Sequence, residues 1–536
     1  MIQSIDYTVI AVPLILALVA GLVLVLDAFL PHRPGSGRLL GLVTLGGVVA
    51  GLGVTAAQAV RGGWWQTFCV PPALPTPPPM PARMTVTLNV FINAPEELVH
   101  AGTSCSFVLD RFALIFAGLA LTAGLVVVLM SMAELAGGRL PVGEWYFLLL
   151  CTLAGAVLLA ASRDLIMLVV SLELVSLPVF ALTAMRRYDG RASEAALKLF
   201  LVSVVSTAIM LFGVSLLYGL TGSVHLSDIA TALSGGTPAR LGPVPTAAFF
   251  NTGAPTGLGP VTAVATVLVL AGFAFKVAAV PFHSWAGDVY EGAPVPVAAL
   301  LSVISKAAGF AGLILVLTTA LAAQAAVWAP VVAVVAALTM TAGNVLALRQ
   351  RRAVRVLAWS SVAQSGYILA PLAVFARVAR GDVAVGASVA YLVFYAAMNL
   401  VAFGVVMLVS RARERDLLDD YRGLIFRRPA AAAALAFSLI CLAGLPPGLA
   451  GLFAKVVVFR AIVDGGLGWL AVVMAVNTVI GLYYYIAWTA KLFTPAAAGE
   501  VAGRPRSLPV AAAVGVALAV TLVFSVVPQV VLAAVA

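Results

Sequence analysis

The chain has few charged residues for its length. Charged side chains make up 10% of its 536 residues and hydrophobic side chains 62%, and the mean hydropathy is +1.11. This composition lies far from that of soluble domains and predicts a membrane protein. The formal net charge of +10 could suggest a nucleic-acid partner. The basic residues lie mainly between apolar runs, however, so we expect no nucleic-acid binding.

Sequence motifs for cofactors and metals are also missing. The sequence contains no Walker loop and no G-x-G-x-x-G after a strand, which leaves no visible nucleotide site. Its four cysteines show no C-x-x-C spacing, and its four histidines are scattered at positions 32, 100, 225 and 283. We therefore expect this chain to bind no iron–sulfur cluster, haem or metal.

Long apolar runs dominate the sequence instead. At about 20 residues per span, they predict an all-α polytopic membrane protein with about fourteen transmembrane helices. The first run lacks a basic head and an A-x-A site, so we expect a span and not a signal peptide. We number the predicted spans 1–14; they lie near 8–30, 39–60, 108–133, 145–161, 165–185, 194–220, 261–284, 294–320, 326–348, 354–377, 384–410, 430–460, 466–491 and 508–533.

Basic residues between the spans predict the orientation. If both termini lie outside, the inside segments carry nineteen Lys and Arg and the outside segments carry eight, while four lysines lie within spans. Cytoplasmic segments of membrane proteins are enriched in Lys and Arg. The bias therefore predicts an even number of spans with both termini outside.

Two long segments are predicted on the outside. Residues 61–106 contain the proline-rich VPPALPTPPPMPARM, which we expect to be extended, and residues 221–260 are rich in Gly, Thr and Pro and predict a flexible loop. Cys69 and Cys105 bracket the first segment, and a disulfide can persist in an oxidising compartment. The sequence leaves this pairing open, because Cys69 could also end an interfacial helix. The other two cysteines fall within spans and are expected to be buried thiols.

Four of the five lysines lie inside predicted spans. They are Lys198, Lys276, Lys306 and Lys455, whereas Lys491 lies at a helix end. An ammonium at the bilayer centre costs about 2.5–3.5 kcal/mol on insertion scales. Lysine, unlike arginine, releases its proton readily when it is desolvated. The pattern is typical of a protein that moves protons.

Other polar residues within the spans have two readings each. Glu173 lies well inside span 5, where a carboxylate is usually functional or paired. Lys198 lies near the start of span 6, so its ammonium could line a proton path or reach the membrane surface as an anchor. His283 could cap a loop or take part in function. Further residues are more typical of helix–helix contacts, although a water wire would need some of them: Asn344, Ser360, Ser361, Gln364, Asn399 and Asn477.

Prolines interrupt two spans close to lysines. Pro281 follows Lys276 in span 7, and Pro446 and Pro447 precede Lys455 in span 12. Proline removes a backbone donor and leaves carbonyl groups free for water or a side chain. Interrupted helices at corresponding positions indicate an inverted repeat around a transport path. Spans 4–8 and 9–13 are the candidate halves.

These motifs, in this order, resemble the antiporter-like membrane subunits of respiratory complex I, most closely the subunit N family of bacterial NADH-quinone oxidoreductases. The resemblance runs from about residue 107 to residue 493. Lys455 favours subunit N over subunit M, which usually has glutamate in the twelfth span, and the lack of a long lateral helix argues against subunit L. The matching blocks are FKVAAVPFHSWAGDVYEGAPVPVAALLSVISKAAGF (275–310), SLELVSLPVFAL (171–182), EAALKLFLVSVVST (194–207), ALRQRRAVRVLAWSSVAQSGYIL (347–369), YAAMNLVAFGVV (395–406) and LAGLPPGLAGLFAKVVVF (442–459).

The resemblance implies two inverted five-helix repeats, broken helices 7 and 12, and a hydrated polar axis. Gln364 stands where the family often has histidine, which puts a titratable relay at that position in doubt. The implied proton-path residues are Glu173 on helix 5, its partner Lys276 on helix 7, the bridging Lys306 on helix 8 and Lys455 on helix 12, with Lys198 as a further lysine typical of subunit N.

The implied function is that of a non-redox, proton-translocating subunit of NADH-quinone oxidoreductase in the bacterial inner membrane. FMN, iron–sulfur clusters and quinone would belong to other membrane and peripheral subunits. The expected divisions are 1–133 (helices 1–3 and the proline-rich loop), 134–320 (first half-channel), 321–493 (second half-channel) and 494–536 (last helix). Two alternatives are a subunit of a multisubunit Na⁺/H⁺ antiporter or membrane-bound hydrogenase, and a membrane scaffold that has lost pumping.

Overall fold

The structure is a computed structural model, and it describes residues 5–30, 35–69, 104–138, 140–186, 188–235, 259–378, 381–411, 416–495 and 507–535. Most of the described chain is helical. Its α-helices are α1 Ala11–Phe29, α2 Ser36–Arg61, α3 Arg111–Leu135, α4 Val142–Ala161, α5 Leu165–Ala184, α6 Gly190–Thr221, α7 Leu226–Leu233, α8 Gly259–Lys276, α9 Trp285–Gly292, α10 Val295–Ala320, α11 Ala325–Leu348, α12 Ala353–Leu369, α13 Gly381–Ser410, α14 Leu424–Arg427, α15 Pro429–Ala443, α16 Leu449–Asp464, α17 Gly468–Phe493, α18 Leu508–Val526 and α19 Gln529–Val535. Helix α10 includes two π-helical segments, Leu301–Ser305 and Val316–Ala320.

Twelve helices of the described chain are long and apolar enough to cross a membrane. Two of the fourteen predicted spans are not among them. Span 10 is the shorter helix α12, which continues as a 3₁₀ turn over Ala370–Val374. Span 12 is divided into α15 and α16. The all-α polytopic fold is therefore confirmed, and the count of fourteen crossings stays a prediction.

The centre of the bundle is formed by α10 and α13. In its most apolar stretch, α10 is completely buried and α13 is almost completely buried. Helices α1, α6 and α18 bury about a third or less of the residues in the corresponding stretch. The central pair contacts α3, α4, α12, α16 and α18. Since α10 and α13 are enclosed by protein, polar groups on them must bond to other helices or to water.

A short strand pair joins the ends of α2 and α3. Strands β1 (Trp65–Cys69) and β2 (Cys105–Leu109) are antiparallel, with Cys69 opposite Cys105. These two cysteines form a disulfide, with Cα atoms 3.8 Å apart, so the pairing that the sequence left open is present. The sequence did not predict this pairing of strands; it predicted only an extended proline-rich stretch between the cysteines. The proline-rich residues 70–81 lie outside the described residues.

The expectation of a loop over 221–260 is wrong at its start. Residues Leu226–Leu233 form helix α7, with Leu226 and Ile229 buried against the bundle. The apolar face of LSDIATAL covers only two helical turns, which is too short to predict a membrane span from the sequence. Residues 236–258 lie outside the described part.

Candidate functional site

The first helix break lies directly after Lys276. Helix α8 ends there, and Ala278 adopts a left-handed conformation with φ of 56° before α9 begins at Trp285. Hydroxyl groups of neighbouring helices bond to the backbone of the break. Ser365 of α12 donates to the carbonyl of Val277 at 2.6 Å, and Thr339 of α11 accepts from the amide of Val280 at 3.0 Å. The break therefore has fixed polar partners from the second half of the chain.

At the second break, between α15 and α16, a lysine of α16 bonds to the end of α15. Gly444 follows the end of α15 with φ of 82°, a left-handed conformation that favours glycine. The ammonium of Lys455 donates to the carbonyl of Ala443 at 2.6 Å. A cation at a helix C-terminus is also stabilised by the helix dipole. The lysine thus lies at the carbonyl end that the break exposes.

Lys276 of α8 bonds to α5 one helical turn from Glu173. The Nζ atom of Lys276 donates to the hydroxyl of Ser176 at 2.7 Å, and Thr207 of α6 donates to a carboxylate oxygen of Glu173 at 2.7 Å. The two charges interact electrostatically. Among the described residues, however, no ion pair within 4 Å joins them. Lys276 is buried and Glu173 is partly exposed.

A small cavity adjoins Lys276. It lies between α5, α6, α8, α10 and the start of α9. Ser305, the residue before Lys306, lines it. Its wall is formed by Ser176, Val179, Phe180, Leu199, Phe275, Lys276, Trp285, Leu301 and Ser305.

Lys306 is held against α12. Its Nζ atom donates to the carbonyl and, at 2.6 Å, to the hydroxyl of Ser361, and it lies 5.8 Å from the ring centre of Tyr395. Tyr395 also donates to the Ser361 hydroxyl, at 2.7 Å. The side chain is buried, and in the described part of the chain no carboxylate oxygen lies within 4 Å of its ammonium.

A cluster of tyrosines and amides fills the space between Lys306 and Lys455. Gln364 accepts a hydrogen bond from Tyr391 at 2.6 Å and donates one to Tyr485 at 3.3 Å. Tyr367 stacks on Tyr391 with ring centres 5.8 Å apart, and the Lys455 ammonium lies 5.7 Å from the Tyr367 ring centre. The cluster continues through Asn344, Asn477 and Tyr484.

Sequence reasoning missed these tyrosines. It named the glutamine and the asparagines but not Tyr367, Tyr391, Tyr395 or Tyr485. A usable signal was present, because a tyrosine buried within an apolar span needs a partner for its hydroxyl. Four such residues on three spans therefore predict a polar cluster, although they do not predict its partners.

Lys198 takes part in a network of ion pairs at one end of the bundle. Its ammonium lies 2.8 Å from a carboxylate oxygen of Asp288 and 2.6 Å from one of Glu194. Arg355 of α12 pairs with Asp288 at 3.1 Å and with Glu291 at 2.7 Å. The bond from Lys198 lowers the pKa of the Asp288 carboxyl below its usual value. Lys198 is 44% exposed and is therefore separate from the buried lysines.

His283 lies in the first break and packs edge-on against Trp359, with ring centres 5.9 Å apart. Within the described ranges, no group of three or more His, Cys, Asp or Glu side chains could hold a metal ion. The arrangement thus offers ammonium groups, one intramembrane carboxylate and neutral hydrogen-bonding groups. The ammonium groups and the carboxylate can hold and release protons.

The comparisons with known proteins agree with this architecture. Residues 162–481 match the family described as NADH:quinone oxidoreductase/Mrp antiporter, TM. NADH-quinone oxidoreductase subunit N 2 from Streptomyces griseus is 50% identical over 94% of this chain and 85% of its own length. NADH-quinone oxidoreductase subunit N from Salinispora tropica is 42% identical over 92% of this chain and 86% of its own.

A chain of respiratory complex I from Thermus thermophilus, solved with bound aureothin, has the same fold with a TM-score of 0.72. It is 29% identical, and the match covers 98% of this chain and 99% of that one. The fold and its buried polar groups thus define an antiporter-like membrane subunit. Within that class, the chain belongs to the subunit N family of NADH-quinone oxidoreductases.

Proposed function

We propose that this subunit translocates protons, driven by quinone reduction in other subunits of the complex. Glu173, Lys276, Lys306 and Lys455 would carry the protons. The observation that supports this most is the placement of three lysines inside the bundle, two of them at helix breaks and none with a carboxylate within 4 Å among the described residues. Burial of an ammonium favours release of its proton.

The proposed sequence of events begins at the Glu173–Lys276 pair. A nearby carboxylate stabilises the charged form of Lys276, and separation of the two would favour release of the lysine proton. The cavity that reaches Ser305 would carry this proton toward Lys306, and the tyrosine cluster lies between Lys306 and Lys455. FMN, iron–sulfur clusters and quinone would belong to partner subunits.

The proposal includes a membrane setting and an orientation. The basic segments near Arg352 and Arg422 would face the cytoplasm of a bacterial cell, and both termini would lie outside. The divisions at residues 134, 321 and 494 would separate the two half-channels from the flanking helices.

Replacement of Lys276 tests the proposal. Lys276→Ala removes the ammonium, and Lys276→Arg keeps a charge that does not release its proton. In assembled complex, we expect both variants to lower proton pumping per NADH oxidised, measured with a pH-sensitive dye in vesicles. Lys491→Ala, at an exposed helix end paired with Asp419, is the control and should pump normally. Normal pumping by assembled Lys276→Ala would overturn the proposal.

A Na⁺/H⁺ antiporter subunit is the alternative. An Mrp complex from Dietzia is 21% identical with a TM-score of 0.74, which indicates the shared fold alone. NADH-driven pumping that does not depend on sodium would support the proposed function over this alternative.

A further inference from the structure

The short helix α9 is held between the two candidate repeats. At one contact, a Cβ added to Gly292 would lie 2.5 Å from the Cβ of Ala195 on α6. At the other, a Cβ added to Gly287 would lie 2.9 Å from the ring of Trp359 on α12. Distances this short leave no room for a side chain. Helix α9 is therefore in close contact with an element of each half.

Two carboxylates on α9 strengthen the same two contacts. Asp288 pairs with Lys198 of α6 and with Arg355 of α12, and Glu291 pairs with Arg355 and with Arg352 at the start of α12. Asp288 is the residue that joins the two sides. We call these five side chains the α9 ion network.

The α9 ion network lies close to the cavity at Lys276. Trp285, one turn before Asp288, lines that cavity, and so does Leu199, the residue after Lys198. The indole N–H of Trp285 is buried and has no hydrogen-bond partner among the described residues. The tryptophan is therefore held by packing and by the position of α9. A shift of α9 would move one wall of the cavity.

We propose that Asp288 is a positioning residue for Lys276, because its bonds to Lys198 and Arg355 hold α9, and with it the Trp285 wall of the cavity, between the two halves. Loss of the Asp288 charge removes the ion pair between α9 and α6 and one of the two α9 carboxylates that bind α12, which loosens α9 and opens the cavity to water. The consequence for pumping rests on the proposed role of Lys276. The consequence for the cavity does not.

Thiol labelling in the assembled complex tests this inference. Leu199→Cys places a thiol in the cavity wall, and its labelling by a water-soluble methanethiosulfonate is followed by mass spectrometry of that peptide. We expect Asp288→Asn to raise the labelling rate about tenfold, the scale of one lost charge-assisted hydrogen bond. Asp288→Glu keeps the charge and should restore a low rate. Asp419→Asn, which breaks the separate Lys491 pair, is the control and should leave the rate unchanged.

Two results would overturn the inference: an unchanged labelling rate in Asp288→Asn, or equal rates in Asp288→Asn and Asp288→Glu. If Asp288→Asn does not assemble, Lys198→Met and Lys198→Arg replace it, and equal rates in these two would be equally decisive. Protons pumped per NADH should fall together with the rise in labelling. If labelling rises in Asp288→Asn while Lys276→Ala pumps normally, the proposed function is wrong and the positioning role of Asp288 stands.

Discussion

At the scale of single residues, Gln364 links two of the tyrosines that lie between Lys306 and Lys455. Its amide accepts a bond from Tyr391 and donates one to Tyr485, and all three side chains are buried. An amide cannot titrate, so it passes no proton itself. Its contribution is to fix the directions of two hydroxyl groups.

We therefore expect Gln364→Leu to impair the complex. The change leaves the buried Tyr391 hydroxyl without its acceptor, at a cost of about 1–3 kcal/mol, and removes one bond from the Tyr485 hydroxyl. The measurements are the yield of assembled complex and the protons pumped per NADH. Gln364→His is the matched variant, because a neutral imidazole also has one donor and one acceptor, and it should retain both properties. Full function in Gln364→Leu would contradict this account of the cluster.

The same residues indicate what a sequence can predict at this scale. The buried lysines were predictable, because a charge in an apolar run is conspicuous whatever its neighbours are. The partners were not, because Gln364 and Tyr485 are 121 positions apart and meet only through the packing of α12 and α17. Asp288 was missed for the same reason, since its position in a polar loop resembles that of any solvated carboxylate.

At the scale of elements, α15 and α16 are in very close contact beside the break that separates them. A Cβ added to Gly451 of α16 would lie 1.6 Å from the carbonyl oxygen of Cys441 on α15. No side chain fits there unless the helices separate. Since Lys455 lies one turn further along α16 and bonds to the last carbonyl of α15, separation would also remove its partner.

Gly451→Ala should therefore reduce assembly. Alanine normally stabilises a helix relative to glycine by about 1 kcal/mol, whereas overpacking costs about 1–3 kcal/mol or more. Native gel electrophoresis would measure the amount of assembled complex. Gly515→Ala in α18, where nothing lies within 4 Å of an added Cβ, is the control and should assemble normally. Equal amounts of the two variants would contradict the predicted crowding.

Helix breaks were predictable from Pro281, Pro446 and Pro447, since proline marks a lost backbone bond wherever it occurs. Strands β1 and β2 were not, because their pairing spans the proline-rich segment and depends on the disulfide between their ends. Short elements that are stabilised by tertiary contacts leave little periodicity in the sequence.

At the scale of the whole molecule, the Cys69–Cys105 disulfide indicates how the protein is oriented in the membrane. It belongs to the strand pair between α2 and α3, at the end of the bundle that the arginine distribution assigns to the outside. A structural disulfide persists in an oxidising compartment and is rare in the cytoplasm. The charge distribution and the cysteine chemistry therefore predict the same side of the membrane.

Reduction by a membrane-impermeant phosphine, followed by maleimide labelling, tests this orientation. In intact cells we expect reduction and labelling of both cysteines, and in inverted vesicles we expect protection, because the strand pair would face the lumen. Cys151, a free thiol within α4, is the control and should show no dependence on the reductant. Cys69→Ser with Cys105→Ser should also lower the free energy of unfolding by about 3–4 kcal/mol, since the bridge closes a loop across a sequence separation of 36. Labelling confined to inverted vesicles would reverse the predicted orientation.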